Sequence, residues 1–443
     1  MKKVLVIVLS ALLAISVSAC SGTGKSPETS KSANASTPAA EGKKIELKYF
    51  SNTPDRTSGQ GLAEQSLIDQ YMKENPNVKI TVETLAPDPQ YQDKIKIYNA
   101  SKNLPDIMKV WGNSNFLTPL VKSDSLASFT GEDFKDMGFV EGSFNGFTVD
   151  GKVYGVPAFS DFWFLYYNKK LFTDNGVTVP TNEKELFNAV QKFSDKGIVP
   201  ISVDARDVWP TALWIESVAQ RYSGSYKPSQ DLNADDPSWG QAAKHMQDLI
   251  KAGGFGKGFL NQDYGMARNL FGQGKAAMYM MGQWEMGMSG DTNFPEEVRK
   301  NIGAIPFPAL EGGKGKTSDL TAWMGGGFGV SNHSPNKEEA KKFLKWFFKQ
   351  ENWSKFVWQN GITFPAQDYS GFLTGKETDL QNDLTNIFTK ATSISGLAIS
   401  DRLAQDTQKE YFDALQKVEM MAITPEQFQN TMKAILEKAK AQK

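Results

Sequence analysis

Cysteine occurs once in this 443-residue chain, at Cys20, and histidine twice, at His245 and His333. A single thiol cannot build a disulfide framework, and this set cannot supply a Cys/His zinc site. An excess of charge of one sign is also missing: 49 Lys and Arg stand against 50 Asp and Glu, a formal net charge of −1. Without a basic surplus there is no electrostatic case for a nucleic-acid partner. Nucleotide loops are absent too. A phosphate-binding loop in "GGKGKTSD" needs glycine where Leu310 stands, and the run Gly325, Gly326, Gly327 has Val330 where a dinucleotide fingerprint needs Gly or Ala. No G-x-S-x-G elbow occurs; His333 lies in the turn "SNHSPN" and His245 in a helical stretch, so neither is placed as a catalytic base. No catalytic residue, cofactor or metal ligand is therefore expected.

The N-terminus sets the compartment. Lys2 and Lys3 precede the apolar stretch Val4 to Leu13, too short for a comfortable membrane span and suited to a signal peptide. It closes with Val17-Ser18-Ala19-Cys20, which resembles the bacterial lipobox, so residues 1–19 are expected to be removed and Cys20 to be lipidated, with palmitate as one acyl group. Residues 21–44 hold Ser, Thr, Ala, Gly, Pro and Lys with no large apolar side chain, and cannot bury enough surface to offset the entropy of ordering. They read with Cys20 as a tether, 20–44, that leaves the folded part free at a membrane surface. Its length suits a Gram-positive cell, on the extracytoplasmic face.

From Ile45 the pattern is α/β. Ile45, Leu47 and Tyr49 recur at period two, as do Val78, Ile80 and Val82, while Leu67, Ile68, Tyr71 and Met72 fall at helical spacing between them. Further strands are expected at Asp106 to Trp111, Phe164 to Tyr167 and Ile198 to Val203. Ser334-Pro335 predicts a helix start, followed by the stripe Ala340, Phe343, Leu344, Phe347, Phe348. The stretch from Asp401 reads as helices broken at Thr424-Pro425. A chain of this length exceeds one ordinary core, and two α/β lobes fit.

Tryptophan carries the functional signal. Trp111, Trp163, Trp209, Trp214, Trp284 and Trp323 stand at or just beyond predicted strand ends, with Asn113, Ser114, Asp161, Arg206 and Glu285 among their polar neighbours. Ligands of open α/β sheets bind outside the carboxyl ends of the strands. A flat apolar ring framed by amides and carboxylates suits a sugar, whose C–H face packs on the ring while its hydroxyls donate and accept. Trp163 and Trp214 lie inside apolar runs and read as core; Trp111 and Trp284, flanked by glycine and polar residues, read as ligand contacts. In "FGQGKAAMYMMGQWEMG", Ala276 to Met281 is a core strand, Gly282 is expected to let the backbone leave the sheet, and Trp284 with Glu285 to present a stacking plane and an acceptor.

Five segments carry a resemblance: "LPDIMKVWGN", "DGKVYGVPAFSDFWFLYYNKKLF", "FGQGKAAMYMMGQW", "GAIPFPAL" and "GGGFGVSNHSPNKEEAKKFLKWF". In that order the chain, from Ile45 to its end, resembles the family 1 extracellular solute-binding proteins, lipoprotein receptors of bacterial ABC sugar importers related to the maltose-binding proteins. The resemblance implies a two-lobe, periplasmic-binding-protein-like fold closing by hinge motion on a ligand between the lobes. Residues 45–155 with 311–360 would form the first lobe and 156–310 with 361–443 the second. It implies the stacking residue at Trp284, the first-lobe aromatic at Trp111 and the cleft carboxylate at Asp161. Asn113 and Ser114 stand where some relatives carry charge. Asn52, Thr53 and Asp55, after the first strand, and Trp323, before the glycines, join the expected site, with Arg206, Trp209, Asp401 and Arg402. The implied partners are a neutral sugar or oligosaccharide and the permease subunits of an ABC transporter, with membrane contact through the lipid anchor only and a monomeric receptor. A secreted glycosidase is the alternative, because Asp161 and Glu285 beside aromatic platforms also fit an acid and a nucleophile; a polysaccharide-binding adhesin is a third reading.

Overall fold

The computed structural model describes residues 44–224, 233–323, 326–394 and 398–442. Cys20, the signal-like segment and all of the tether but Lys44 lie outside the described residues. Strands β1 (Ile45–Ser51), β2 (Val78–Thr84) and β3 (Ile107–Trp111) alternate with helices α1 (Gly59–Glu74) and α2 (Asp88–Ala100), and α3 (Ser114–Lys122) follows. The chain crosses through β4 (Val156–Pro157) into β5 (Asp161–Asn168), α4 (Glu183–Asp195), β6 (Val199–Ser202), α5 (Trp209–Ser223) and α6 (Ser238–Lys251). Then come α7 (Tyr264–Gly272), β7 (Ala276–Gly282), β8 (Ile302–Ile305), β9 (Ala322–Trp323) and β10 (Gly326–Val330). Helix α8 (Lys337–Phe347) returns to the first sheet, and α9 (Ile399–Arg402), α10 (Gln405–Glu419) and α11 (Pro425–Ala441) close the chain.

Two sheets organise the molecule. The first runs β2-β1-β3-β10-β4, with β1 parallel to β2 and β3, and β10 antiparallel to β3 and β4. The second runs β8-β5-β7-β6, with β9 joined to β5. Both faces of the first sheet are covered, which is why β1 alternates weakly: Leu47 and Tyr49 face the core made with α1 and α8, and Phe50 faces the one that holds Tyr91 of α2. At about 1.5 to 3 kcal/mol for each fully buried large apolar side chain, the stripe Phe343, Leu344, Phe347 of α8 is a main anchor of the first lobe. That helix opens at Lys337, later than Ser334-Pro335 suggested, because the Ser334 hydroxyl is held by Asp106 and itself accepts from Asn336 N. Strand β5 is buried along nearly its whole length, since sheet neighbours and helices cover both faces. The break at Thr424-Pro425 is a capping box: Thr424 Oγ1 accepts from Gln427 N at 3.1 Å and Gln427 Oε1 accepts from Thr424 N at 2.8 Å.

β4 pairs with β10, so the first sheet continues past residue 155. Arg221 of α5 donates to the carbonyl of Asp319 at 2.8 Å, and a Cβ on Gly313 would meet the Arg221 carbonyl at 2.6 Å, so the segment after residue 310 stays on the second lobe. Between the lobes, α1 packs against the 3-10 turn Gln283–Ser289, and α9 packs against α3.

Candidate functional site

The second lobe presents an aromatic wall. Trp163 lies near the start of β5, Trp209 opens α5, Tyr264 opens α7 and Trp284 follows β7. Trp284 lies 6.1 Å from both Trp163 and Trp209, and Trp209 stacks on Tyr264 at 6.3 Å and 25°. Trp163 and Trp214 are 2% and 1% exposed; Trp214 is core, whereas Trp163 forms the buried back of the wall. The Trp284 ring folds back over β7, so a Cβ on Gly282 would sit 2.0 Å from its Cζ3. Gly282 is therefore required for ring clearance; its backbone is ordinary extended chain, with φ −78° and ψ 170°.

Glu285 differs from expectation. Its carboxylate is buried behind the wall, accepting from Arg268 Nε at 2.9 Å and from the Tyr264 hydroxyl. Tyr264 in turn accepts from Trp284 Nε1 at 3.1 Å, and Arg268 also pairs with buried Asp291 at 2.8 Å. Burial, then the Glu285 carboxylate, push the Tyr264 pKa well above its ordinary value, so the phenol remains a donor. The result is a chain from Asp291 through Arg268, Glu285 and Tyr264 to the Trp284 indole. Glu285 orients the platform.

A strained turn sets Trp209. Val208 has φ 66° and ψ −36°, and Trp209 N donates to Asp207 O at 2.8 Å, a γ-turn that a β-branched residue rarely adopts. Such strain clusters at ligand clamps. Here it fixes the backbone between Asp207 and Trp209, with buried Asp204 accepting from Asp207 N at 3.0 Å. Burial, with the neighbouring Asp207 and Asp263 carboxylates, pushes the Asp204 pKa well above the carboxylate range. Arg206 is exposed and pairs with Asp263 at 2.6 Å, at the rim.

The first-lobe wall is polar. Asn52 donates to Asp88 Oδ1 at 2.6 Å, and buried Lys109 of β3 reaches Gln60 at 3.3 Å over the Phe159 ring. The Asp88 pKa is raised by burial, against Lys109 and Asn52, which lower it, with a further upward push from Asp207 of the other lobe. Trp111 is half-buried at the end of β3, edge-on to Tyr91 at 5.6 Å and Phe116 at 5.1 Å. Asn113 caps α3 through Phe116 N at 2.9 Å; Ser114 is the first residue of that helix, and its side chain is outside the described set. Thr53 shares a hydrogen bond with Ser51 at 2.7 Å. Asp55 is exposed and committed to the turn before α1: partial burial raises its pKa, and the hydrogen bonds from Ser58 and Thr57 together outweigh burial and lower it.

A third group sits where the lobes join. Asp161 is buried and accepts from Gln283 Nε2 at 3.0 Å; Gln283 also contacts Thr363 and receives Phe162 N. The backbone of Trp323 pairs with Asp161, and its side chain is outside the described set. The Asp401 pKa is pushed up to about 7 by burial, then by Glu216 and Asp161, while Arg402 opposes them. Beside it Asn115 Nδ2 donates to Ser400 O at 3.3 Å, a direct bond from α3 to α9.

Asp88, Lys109, Tyr264, Arg268 and Gln283 were not anticipated. Lys109 had a visible signal, a lone charge inside the apolar strand "IMKVW". The other four had none. Among the described residues no group of His, Cys, Asp and Glu fits a metal ion, and no helix is long and apolar enough to cross a membrane.

Residues 55–352 match the family model described as bacterial extracellular solute-binding protein. The galactooligosaccharide-binding protein of Bacillus subtilis (strain 168) is 24% identical, over 82% of this chain and 80% of its own length. The arabinooligosaccharide-binding protein of the same strain is 26% identical, over 75% and 77%. A solved structure from work on xylan utilization by the thermophilic bacterium Caldanaerobius polysaccharolyticus is 29% identical with a TM-score of 0.79, covering 88% of this chain and 99% of that one. The fold is thus the two-lobe binding-protein fold, and the chain belongs to the bacterial extracellular solute-binding proteins.

Proposed function

We propose that the protein is an extracytoplasmic sugar receptor that captures a neutral mono- or oligosaccharide between its lobes and delivers it to the permease of an ABC importer. The observation that carries this reading is the pairing of two unlike walls: a fixed aromatic surface of Trp284, Trp209 and Tyr264 opposite Asn52, Asp88 and Lys109. Apolar sugar faces pack on rings, and hydroxyls need both donors and acceptors. The names of the oligosaccharide-binding relatives support the same ligand class. The reading makes the protein a binding protein and not an enzyme. A glycosidase would need Asp161 and Glu285 turned to the scissile bond, whereas Glu285 is tied to Arg268 and Tyr264. The test is a thermal-shift screen over neutral sugars followed by calorimetry: a cognate sugar at 100 times its dissociation constant adds about 2.7 kcal/mol of stability. Stoichiometric binding without turnover is expected; hydrolysis of the bound sugar, or no shift with any of them, overturns the proposal.

The reading includes a monomer held by a diacyl or triacyl anchor at Cys20, on the outer face of a Gram-positive membrane. Cys20→Ala is expected to release the protein to the medium, measured by immunoblot of membranes after a high-salt wash. Retention equal to wild type contradicts the anchor. Lobe one would then comprise 45–157 with the return around 326–360, and lobe two most of the remainder, closing as a hinge on the sugar.

A further inference from the structure

A second cavity opens beside the aromatic wall, outside the space between the lobes. It measures about 770 Å³ and runs along one face of α10, with Val208 at its inner end. Gln408, Lys409, Phe412, Asp413 and Gln416 line it. Their spacing puts them on one helical face, and from Gln408 to Gln416 the groove spans roughly 12 Å at 1.5 Å per residue. Val208 is the strained residue between Asp207 and Trp209, so the groove adjoins the ligand wall through one residue.

The groove also reaches the seam between the lobes. Gln408 Nε2 donates to Ser400 O at 3.0 Å, the same carbonyl that receives Asn115 of the first lobe. A chain leaving the space between the lobes at this seam meets Gln408 first and Gln416 last. The surface it meets repeats the chemistry of the wall. Phe412 is a half-buried ring, two glutamine amides offer donors and acceptors, Lys409 and Asp413 pair at 2.6 Å, and Asp406, which also lines the groove, is held by Lys438 at 2.7 Å, so each carboxylate there has a cation beside it. A neutral, hydroxyl-rich chain fits such a lining; an anionic or purely apolar one does not.

We infer that this groove on α10 is an outer subsite that holds the protruding end of a linear neutral oligosaccharide whose first units lie between the lobes. The inference rests on the sugar-receptor reading above and adds a chain-length preference. Occupation of the groove strengthens binding only for chains long enough to reach it.

The test uses the full receptor and length ladders, from one to six units, of galacto-, arabino-, xylo- and malto-oligosaccharides, with calorimetric dissociation constants. For the ladder that binds, affinity is expected to rise with length past the shortest member that binds. Phe412→Ala with Gln416→Ala should remove about tenfold of the affinity for the longest member while the shortest is unchanged. Because Phe412 packs on the second-lobe core, Lys409→Ala with Gln416→Ala serves as a variant that leaves the core intact, and is expected to cost the long chain severalfold. Equal losses at every length, or no loss at the longest, overturn the subsite. Wild-type binding that never improves with length overturns it too, with the receptor reading intact. Failure of wild type to bind any ladder or single sugar overturns the receptor reading itself, and the subsite falls with it.

Discussion

The two walls are built by opposite means. The second-lobe wall is aromatic and its geometry is fixed from behind, by the ion network of Asp291, Arg268 and Glu285 that ends on the Trp284 indole. The first-lobe wall is made of single polar side chains, Asn52, Asp88 and Lys109, placed by strand ends and a helix start with few groups supporting them. A ring contributes to binding only if its plane stays put, since a mobile ring repays in ordering entropy what it gains in contact. A hydrogen-bonding side chain can adjust to the ligand as the lobes close. In the proposed receptor the second lobe is the preorganised half of the site and the first lobe the adaptable half.

The largest expected effect tests the support of the aromatic wall. Arg268→Ala leaves the buried Glu285 and Asp291 carboxylates without their cation and should cost about 3 to 5 kcal/mol in a denaturant titration of the ligand-free protein. Lys109→Met, its first-lobe counterpart, replaces one buried cation by an apolar stem of similar reach and should cost less stability. Equal losses in the two variants would erase the distinction between the walls.

Next in size is the ring itself. Trp284→Ala should lower affinity by about 1 to 3 kcal/mol, roughly tenfold to a hundredfold or more, and lower affinity more than it lowers stability. A core tryptophan would behave in the reverse order, losing about 3 to 5 kcal/mol of folding stability. Calorimetry and the denaturation midpoint, measured on the same variant, rank the two. Trp111→Ala gives the matching measurement on the first lobe, where a smaller loss of affinity is expected.

The smallest effect is the dependence on pH, and its sign differs between the walls. Asp204, on the second lobe, has a folded pKa raised by burial and by Asp207, so its contribution to stability is fully present below about pH 4 and is lost as pH rises toward about 8. Asp55, on the first, has a pKa lowered by Ser58 and Thr57, so its contribution is present above about pH 4 and is lost as pH falls through the lowered value. Asp204→Asn should therefore flatten the decline of the melting temperature between pH 5 and 8, and Asp55→Asn should flatten the decline on the acid side. A variant that moves the opposite limb refutes the assignment of that carboxylate.

Much of the frame was legible residue by residue. Ile45, Leu47 and Tyr49 at period two, the stripe Phe343, Leu344 and Phe347, and the capping box at Thr424 each announce their element locally, because periodicity and capping depend on neighbours within one or two turns. The position of Trp284 just beyond a buried strand was legible for the same reason, and its half-buried ring beside Trp209 is in the place the strand end dictates. The direction of Glu285 was not: alternation and flanking glycine say that the chain leaves the sheet there, but its partner Arg268 is 17 residues away on another element. Gly282 shows a finer version of the same limit, since glycine signals either unusual backbone or a close approach, and only the folded ring shows that it is the approach.

Composition and local pattern thus determined the class of the protein: near-balanced charge, one cysteine behind a signal-like segment, α/β alternation over two cores, and aromatic residues at strand ends. Tertiary structure alone decided which charges meet. Asp207 of one lobe raises the pKa of Asp88 on the other, Asp161 raises that of Asp401, and Asn115 reaches Ser400 across 285 residues. The reason is physical. Hydrophobic burial is additive and leaves its period in the sequence, whereas the energy of a charge or hydrogen bond depends on a distance and a local dielectric that exist only once the chain is folded.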